Sequence, residues 1–83
     1  MESIEDTMSE YDKKIDTTGL NCPLPLLRTK KALVTMESGQ VLFVISTDPS
    51  SVVDFKAFAA QSGHELLEYK QEQGRFLYLL RKQ

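Results

Sequence analysis

The hydrophobic pattern of the chain divides into six segments. Lys14 to Thr17 carries a short strand signal, and Thr18-Gly19-Leu20-Asn21 reads as a turn. Pro23 and Pro25 then mark a helix start, because the N–H that proline lacks would have no partner in a first turn. At 100° per residue, Leu26, Thr29, Ala32, Leu33 and Met36 share a stripe about 120° wide, with Arg28, Lys30 and Lys31 outside it. This spacing predicts a helix from Pro25 to Glu37, stopped by Gly39. Val41-Leu42-Phe43-Val44-Ile45 is continuously apolar, too short for a helix and rich in β-branched residues, so it predicts a central strand covered on both faces. Asp48-Pro49 supplies an N-cap and a first-turn proline for a second helix, with Ser51-Val52-Val53-Asp54 as an alternative cap. Val52, Phe55, Phe58, Ala59 and Ser62 form its stripe, and Gly63 ends it. His64–Gln71 and Arg75–Arg81 read as two strands joined by a hairpin at Glu72-Gln73-Gly74.

The order β-α-β-α-β-β, with one apolar stripe per helix, predicts a two-layer α/β sandwich. Its four-stranded mixed sheet carries both helices on one face, and the first β-α-β unit should cross over right-handed. Leu27 and Val34 fall off the stripe of the first helix, and the last strand is apolar on both faces. Some of that apolar surface is therefore expected to be exposed, either as ordinary surface or as a partner site.

Size and composition narrow the classes. A chain of 83 residues makes one small domain, which buries only about 60% of the surface its unfolded form exposes. A hydrophobic content of 41% is too high for a wholly disordered chain. No apolar run approaches the roughly 20 residues of a membrane span, and the N-terminus has neither a basic start nor an apolar stretch of the secretory kind. A cytoplasmic protein with no membrane association is expected. The net charge of −2 hides an asymmetry: residues 1–12 carry a charge of −5, and the remainder +3. Residues 1–12 therefore read as a disordered acidic leader and 13–83 as the single folded domain. The positive charge of the body is too small to indicate nucleic-acid binding.

Chemistry centres on the one cysteine. Cys22 has no disulfide partner, and with a single histidine it cannot build a structural zinc site, so no metal and no cofactor are expected. Cys22 directly precedes a helix N-terminus, where unsatisfied N–H groups and the positive dipole end should lower its pKa and favour the reactive thiolate. Pro23 and Pro25 would restrict the backbone and fix the direction of the sulfur. Arg28, Lys30 and Lys31 would add positive potential. The opposing reading, a small hydrophobe tucked under the helix, fits the same residues. His64 follows Gly63 at a strand entry and reads as a surface or edge histidine rather than a catalytic partner. Without a second cysteine, dithiol redox chemistry is excluded.

The run Asp16-Thr-Thr-Gly19-Leu20-Asn-Cys22-Pro23-Leu-Pro25, followed by Lys30-Lys31-Ala32-Leu33, resembles the signature of the TusA/SirA sulfur-carrier family. Thr47-Asp48-Pro49, Gly63-His64-Glu65 and the closing Tyr78-Leu-Leu-Arg81-Lys82 match as well, so the resemblance spans roughly residues 13 to 82. It implies a fold like the C-terminal domain of translation initiation factor three. It also implies a sulfurtransferase acting by relay: Cys22 accepts persulfide sulfur from a cysteine desulfurase or other donor protein and passes it to an acceptor protein. In the family such routes serve tRNA thiolation, molybdenum-cofactor enzymes or sulfur metabolism. Arg28, Lys30 and Lys31 are then candidates for docking an acidic partner. Two other classes remain open: a single-cysteine redox sensor, and a non-catalytic module binding RNA or protein. The lack of aromatic residues among the basic side chains of the first helix speaks against direct nucleic-acid binding.

Overall fold

The computed structural model describes residues 10–83. They form β1 (Lys13–Thr17), α1 (Leu24–Val34), β2 (Val41–Ser46), α2 (Ser51–Ser62), β3 (Glu65–Glu72) and β4 (Arg75–Arg81), the order expected from the apolar pattern. The sheet order is β1-β2-β4-β3. β1 runs parallel to β2, with Thr17 opposite Ser46, and the other pairings are antiparallel. The fold is thus a two-layer α/β sandwich with a mixed four-stranded sheet. Among the described residues, no helix is long and apolar enough to cross a membrane.

Both helices pack on one face. Ala32, Leu33 and Met36 from α1 and its end meet Phe55 from α2 over Leu42, Val44, Phe76, Tyr78 and Leu80 of the two middle strands. Alternate residues of those strands, Phe43, Ile45, Leu77 and Leu79, make a second buried cluster on the opposite face. β4 is therefore a second central strand, and its apolar residues Phe76 to Leu80 are all buried. Exposure on this strand, expected from its two apolar faces, does not occur, because pairing with β2 and β3 places it inside the sheet. Leu27 and Val34 are exposed, as their positions off the helix stripe require.

Helix boundaries depart from the sequence reading in two places. α1 stops at Val34, before Gly39. The Thr35 amide and hydroxyl both turn back to the Ala32 carbonyl, and the Met36 amide to that of Leu33, tightening the last turn. α2 begins at Ser51 with Ser50 at the cap position, without a side-chain capping bond. Asp48 instead closes a turn ahead of the helix, accepting from the Ser50 amide at 3.1 Å. At the hairpin, Gln73 and Gly74 both have positive φ, the backbone that a two-residue turn between right-twisted strands demands.

The leader expected over residues 1–12 falls outside the described residues up to residue 9. Its last part is engaged with the sheet. The Tyr11 ring lies 5.2 Å from that of Phe43, the Asp12 amide donates to the Val41 carbonyl, and the Val41 amide donates to the Asp12 carboxylate.

Candidate functional site

Two loops meet at the C-terminal ends of the parallel strands β1 and β2, where α/β sheets commonly bind ligands. The first, residues 18–23, leads into α1; the second, residues 47–50, leads into α2. Asp16 starts the first loop by accepting from the Thr18 amide and hydroxyl, which hold its carboxyl below the ordinary aspartate value. Gly19 turns the chain with φ +83°, a left-handed conformation that favours glycine. Its amide then donates to Thr47 Oγ1 at 2.9 Å, a first link between the loops. The buried Thr17 hydroxyl, bonded to the Ile45 carbonyl at 2.6 Å, ties the strand ends beneath them.

Cys22 sits at the outer tip of this assembly, exposed, two residues before α1. Pro23 occupies the cap position, and the Cys22–Pro23 peptide is cis. Pro25 is buried in the first helical turn, and Pro23 at the cap accepts the first helical hydrogen bond from the Leu27 amide. The backbone N–H of Cys22 donates to Asp48 Oδ2 at 2.6 Å, and its thiol donates to Asp54 Oδ2 at 3.2 Å. Asp48 also accepts from the Ser50 hydroxyl at 2.8 Å. Its carboxyl is held below the ordinary value by the Ser50 hydroxyl and amide and by the Cys22 amide.

This environment corrects the expectation of a depressed thiol pKa. The hydrogen bond to Asp54, partial desolvation and the negative charge of Asp54 raise the Cys22 thiol above its ordinary value, with the charge of Asp48 acting in the same direction. The carboxylates responsible come from the neighbouring loop and helix, Asp48 and Asp54. Nor do the three cations surround the sulfur. Arg28 and Lys31 line a cavity of about 290 Å³ between α1 and β1, together with Lys13, Asp16 and Thr35. Lys30 projects across the helix, its Nζ 5.6 Å from the centre of the Phe58 ring, beside a second hollow that includes Val34 and His64. Cys22 lines neither. His64 lies at the far end of α2 from Asp54, its ring tilted against Phe58 and its Nδ1 accepting from the Gln83 amide.

Sequence reasoning missed Asp48 and Asp54 as neighbours of the thiol. The local pattern assigns Asp48 to an N-cap and Asp54 to the alternative cap that starts at Ser51, and the available signal is that three acceptor-bearing residues, Asp48, Ser50 and Asp54, crowd one loop and helix start. A buried pair supports that helix start. The Ser51 and Tyr78 hydroxyls lie 2.6 Å apart, and the Phe55 and Tyr78 rings stack at 4.2 Å. Burial pushes the Tyr78 phenol up to about 12. Among the described residues, no group of three or more His, Cys, Asp or Glu side chains is placed to hold a metal ion.

Comparison with known proteins covers the same region. The sequence matches the family described as "Sulfurtransferase TusA" over residues 13–82, which include both loops and Cys22. It is 59% identical over 75 residues to a "Sulfur carrier protein TusA" of Allochromatium vinosum, covering 90% of this chain and 99% of that protein. It is 48% identical over 61 residues to the "Putative sulfur carrier protein YrkI" of Bacillus subtilis, covering 74% and 81% respectively. The crystal structure of a SirA-like protein from Desulfitobacterium hafniense superposes with a TM-score of 0.74 at 29% identity, covering 84% of this chain and 96% of that one. By sequence and by fold alike, the chain belongs to the TusA sulfurtransferase family.

Proposed function

We propose that the protein is a sulfur carrier that accepts persulfide sulfur on Cys22 from a donor protein, such as a cysteine desulfurase, and relays it to an acceptor protein. The observation that carries this reading is the exposed thiol of Cys22, held at the tip of two cross-linked loops within a chain of this family. Transfer requires attack on the outer sulfur of a donor persulfide, so access to a partner's thiol is the first geometric demand. An exposed tip meets it. The single cysteine of the chain also means that no second thiol within the molecule can displace the cargo as a disulfide. Delivery to tRNA thiolation, molybdenum-cofactor or other sulfur-metabolic acceptors in the cytoplasm completes the proposal, without a cofactor and without direct nucleic-acid contact.

A single-cysteine redox sensor is the alternative that the loading experiment separates from a carrier. Incubation with a cysteine desulfurase and cysteine should add the mass of one sulfur atom at Cys22, and dithiothreitol should remove it. Cys22→Ser should abolish loading and leave the thermal midpoint nearly unchanged, since the side chain is exposed. An unloaded wild-type protein whose thiol reacts rapidly with peroxide would instead favour the sensor.

A further inference from the structure

We propose that Asp54 stabilises the empty thiol of Cys22 against its persulfide, so that the carrier is biased towards handing sulfur on rather than storing it. The inference rests on the persulfide reading of Cys22 and adds to it a residue that sets the direction of transfer. Its basis is the 3.2 Å contact from Cys22 Sγ to Asp54 Oδ2. A carboxylate accepts a hydrogen bond from a thiol but has no proton to offer a sulfur anion. The contact therefore favours the protonated, empty state. A persulfide is a stronger acid than its parent thiol, so loading replaces a neutral hydrogen-bond donor with a group that tends to be anionic at neutral pH. That anion faces Asp54 on α2 and Asp48 in the preceding loop.

The remaining charged groups near by do not cancel this effect. On α1, Arg28 and Lys31 face the cavity beside β1, and Lys30 lies over Phe58. Asp16, at the end of β1, has its carboxylate bonded to Thr18. The Ser50 hydroxyl acts in the opposite direction, lowering the thiol, and it also donates to Asp48.

The transfer step balances without an oxidant. The bond between Cys22 Sγ and the outer sulfur forms as the bond between that sulfur and the donor cysteine's sulfur breaks. The electron pair of the broken bond stays on the donor sulfur, which leaves as a thiolate. The proton of Cys22 passes to the Asp54 carboxylate and from there to the departing thiolate. Donor persulfide and carrier thiol become donor thiol and carrier persulfide. In delivery to the acceptor the same steps run backwards at Cys22, and the returning proton restores the Cys22–Asp54 hydrogen bond.

Two measurements on Asp54→Asn test the inference. The first is thiolate absorbance at 240 nm against pH on the unloaded protein, a readout independent of any sulfur chemistry. The variant should titrate at lower pH than wild type, and each unit of displacement means about tenfold more thiolate at neutral pH. The second is equilibration with glutathione persulfide and glutathione at a fixed ratio, followed by intact-mass analysis. The variant should retain a several-fold higher ratio of loaded to empty protein. An unchanged thiol titration would overturn the role of Asp54. A shifted titration with an unchanged loading ratio would overturn the bias towards delivery. Failure of wild type to load at all would count against the persulfide reading and, with it, this inference, whereas the titration would still report whether Asp54 governs the thiol. Asp54→Ser, which removes the charge and keeps a small polar side chain, provides the same comparison should the asparagine variant not fold.

Discussion

The backbone amide of Cys22 and the carboxylate of Asp48 lie 2.6 Å apart although 26 residues separate them in the chain. This bond joins the loop that carries the thiol to the loop that starts α2. A charged acceptor makes such a bond stronger than a neutral one would be. Because α2 also carries Asp54, this bond, with that of the Gly19 amide to Thr47, couples the position of the thiol to its electrostatic surroundings.

That connection should be visible in acid. The Asp48 carboxyl is held below its ordinary value, so its contribution is present above the unfolded-state pKa and is lost as pH falls through the lower folded-state value. The amide resonances of Cys22 and Ser50 should shift together, with a midpoint below that of an ordinary aspartate, in a pH titration followed by NMR. A midpoint at or above the ordinary value would contradict the depression. Asp48→Ala should abolish the coupled shift and speed hydrogen exchange at both amides.

Tyr78→Phe should destabilise the domain by about 1–3 kcal/mol, because it leaves the buried Ser51 hydroxyl without its partner. Adding Ser51→Ala to that variant should restore part of the loss, since both members of the pair are then removed. Thermal or urea unfolding of the two single variants and the double variant measures the coupling. The raised phenol sets a pH dependence of known sign. Stabilisation is intact below the unfolded-state tyrosine value near 10 and declines as pH rises towards about 12.

Phe55→Ala should cost about 3–5 kcal/mol, the usual range for deleting a fully buried aromatic. In a domain of this size that loss approaches the whole stability. Circular dichroism at 25 °C should show a largely unfolded population, and a well-folded variant with an unchanged midpoint would refute the assigned packing.

Docking should divide between two faces. Charge reversal at Arg28 or Lys31 should slow loading from an acidic donor at low salt through the association rate, with the defect shrinking above about 0.15 M salt. Lys30→Glu, on the other side of α1, should affect a different partner contact, so its effect should combine additively with that of Lys31→Glu. Stopped-flow association at several salt concentrations distinguishes these outcomes. Rates equal to wild type for all three reversals would mean that this helix does not steer the donor.

Much of the fold was legible because its elements follow apolar periodicity. Val41–Ile45 and Arg75–Arg81 could be recognised as strands from their composition, and the stripe of Leu26, Thr29, Ala32, Leu33 and Met36 identified the buried face of α1. The burial of both faces of β4 was less accessible, since it depends on which strands flank it. The setting of the thiol was misread for a related reason. Arg28, Lys30 and Lys31 are close to Cys22 in sequence but point elsewhere, while Asp48 and Asp54 are distant in sequence and adjacent in space. Local spacing describes the direction of a helix stripe, but it holds no information on which loop faces which.

The mixed sheet also bears on the order in which the molecule assembles. β3 and β4 are joined by a two-residue turn, so their pairing closes almost no loop, whereas the parallel pairing of β1 with β2 must wait for the intervening helix to be gathered in. The expected sequence of events is early protection of amides in the hairpin and late protection in β1. Pulsed hydrogen-exchange labelling during refolding would reveal the reverse order if the parallel pair led. Both loops of the candidate site spring from the ends of that parallel pair, so in this order of events the thiol should meet its carboxylate neighbours late in folding. A nascent or partly folded chain thus presents an ordinary, unpartnered cysteine, and the tuned one is a property of the finished molecule.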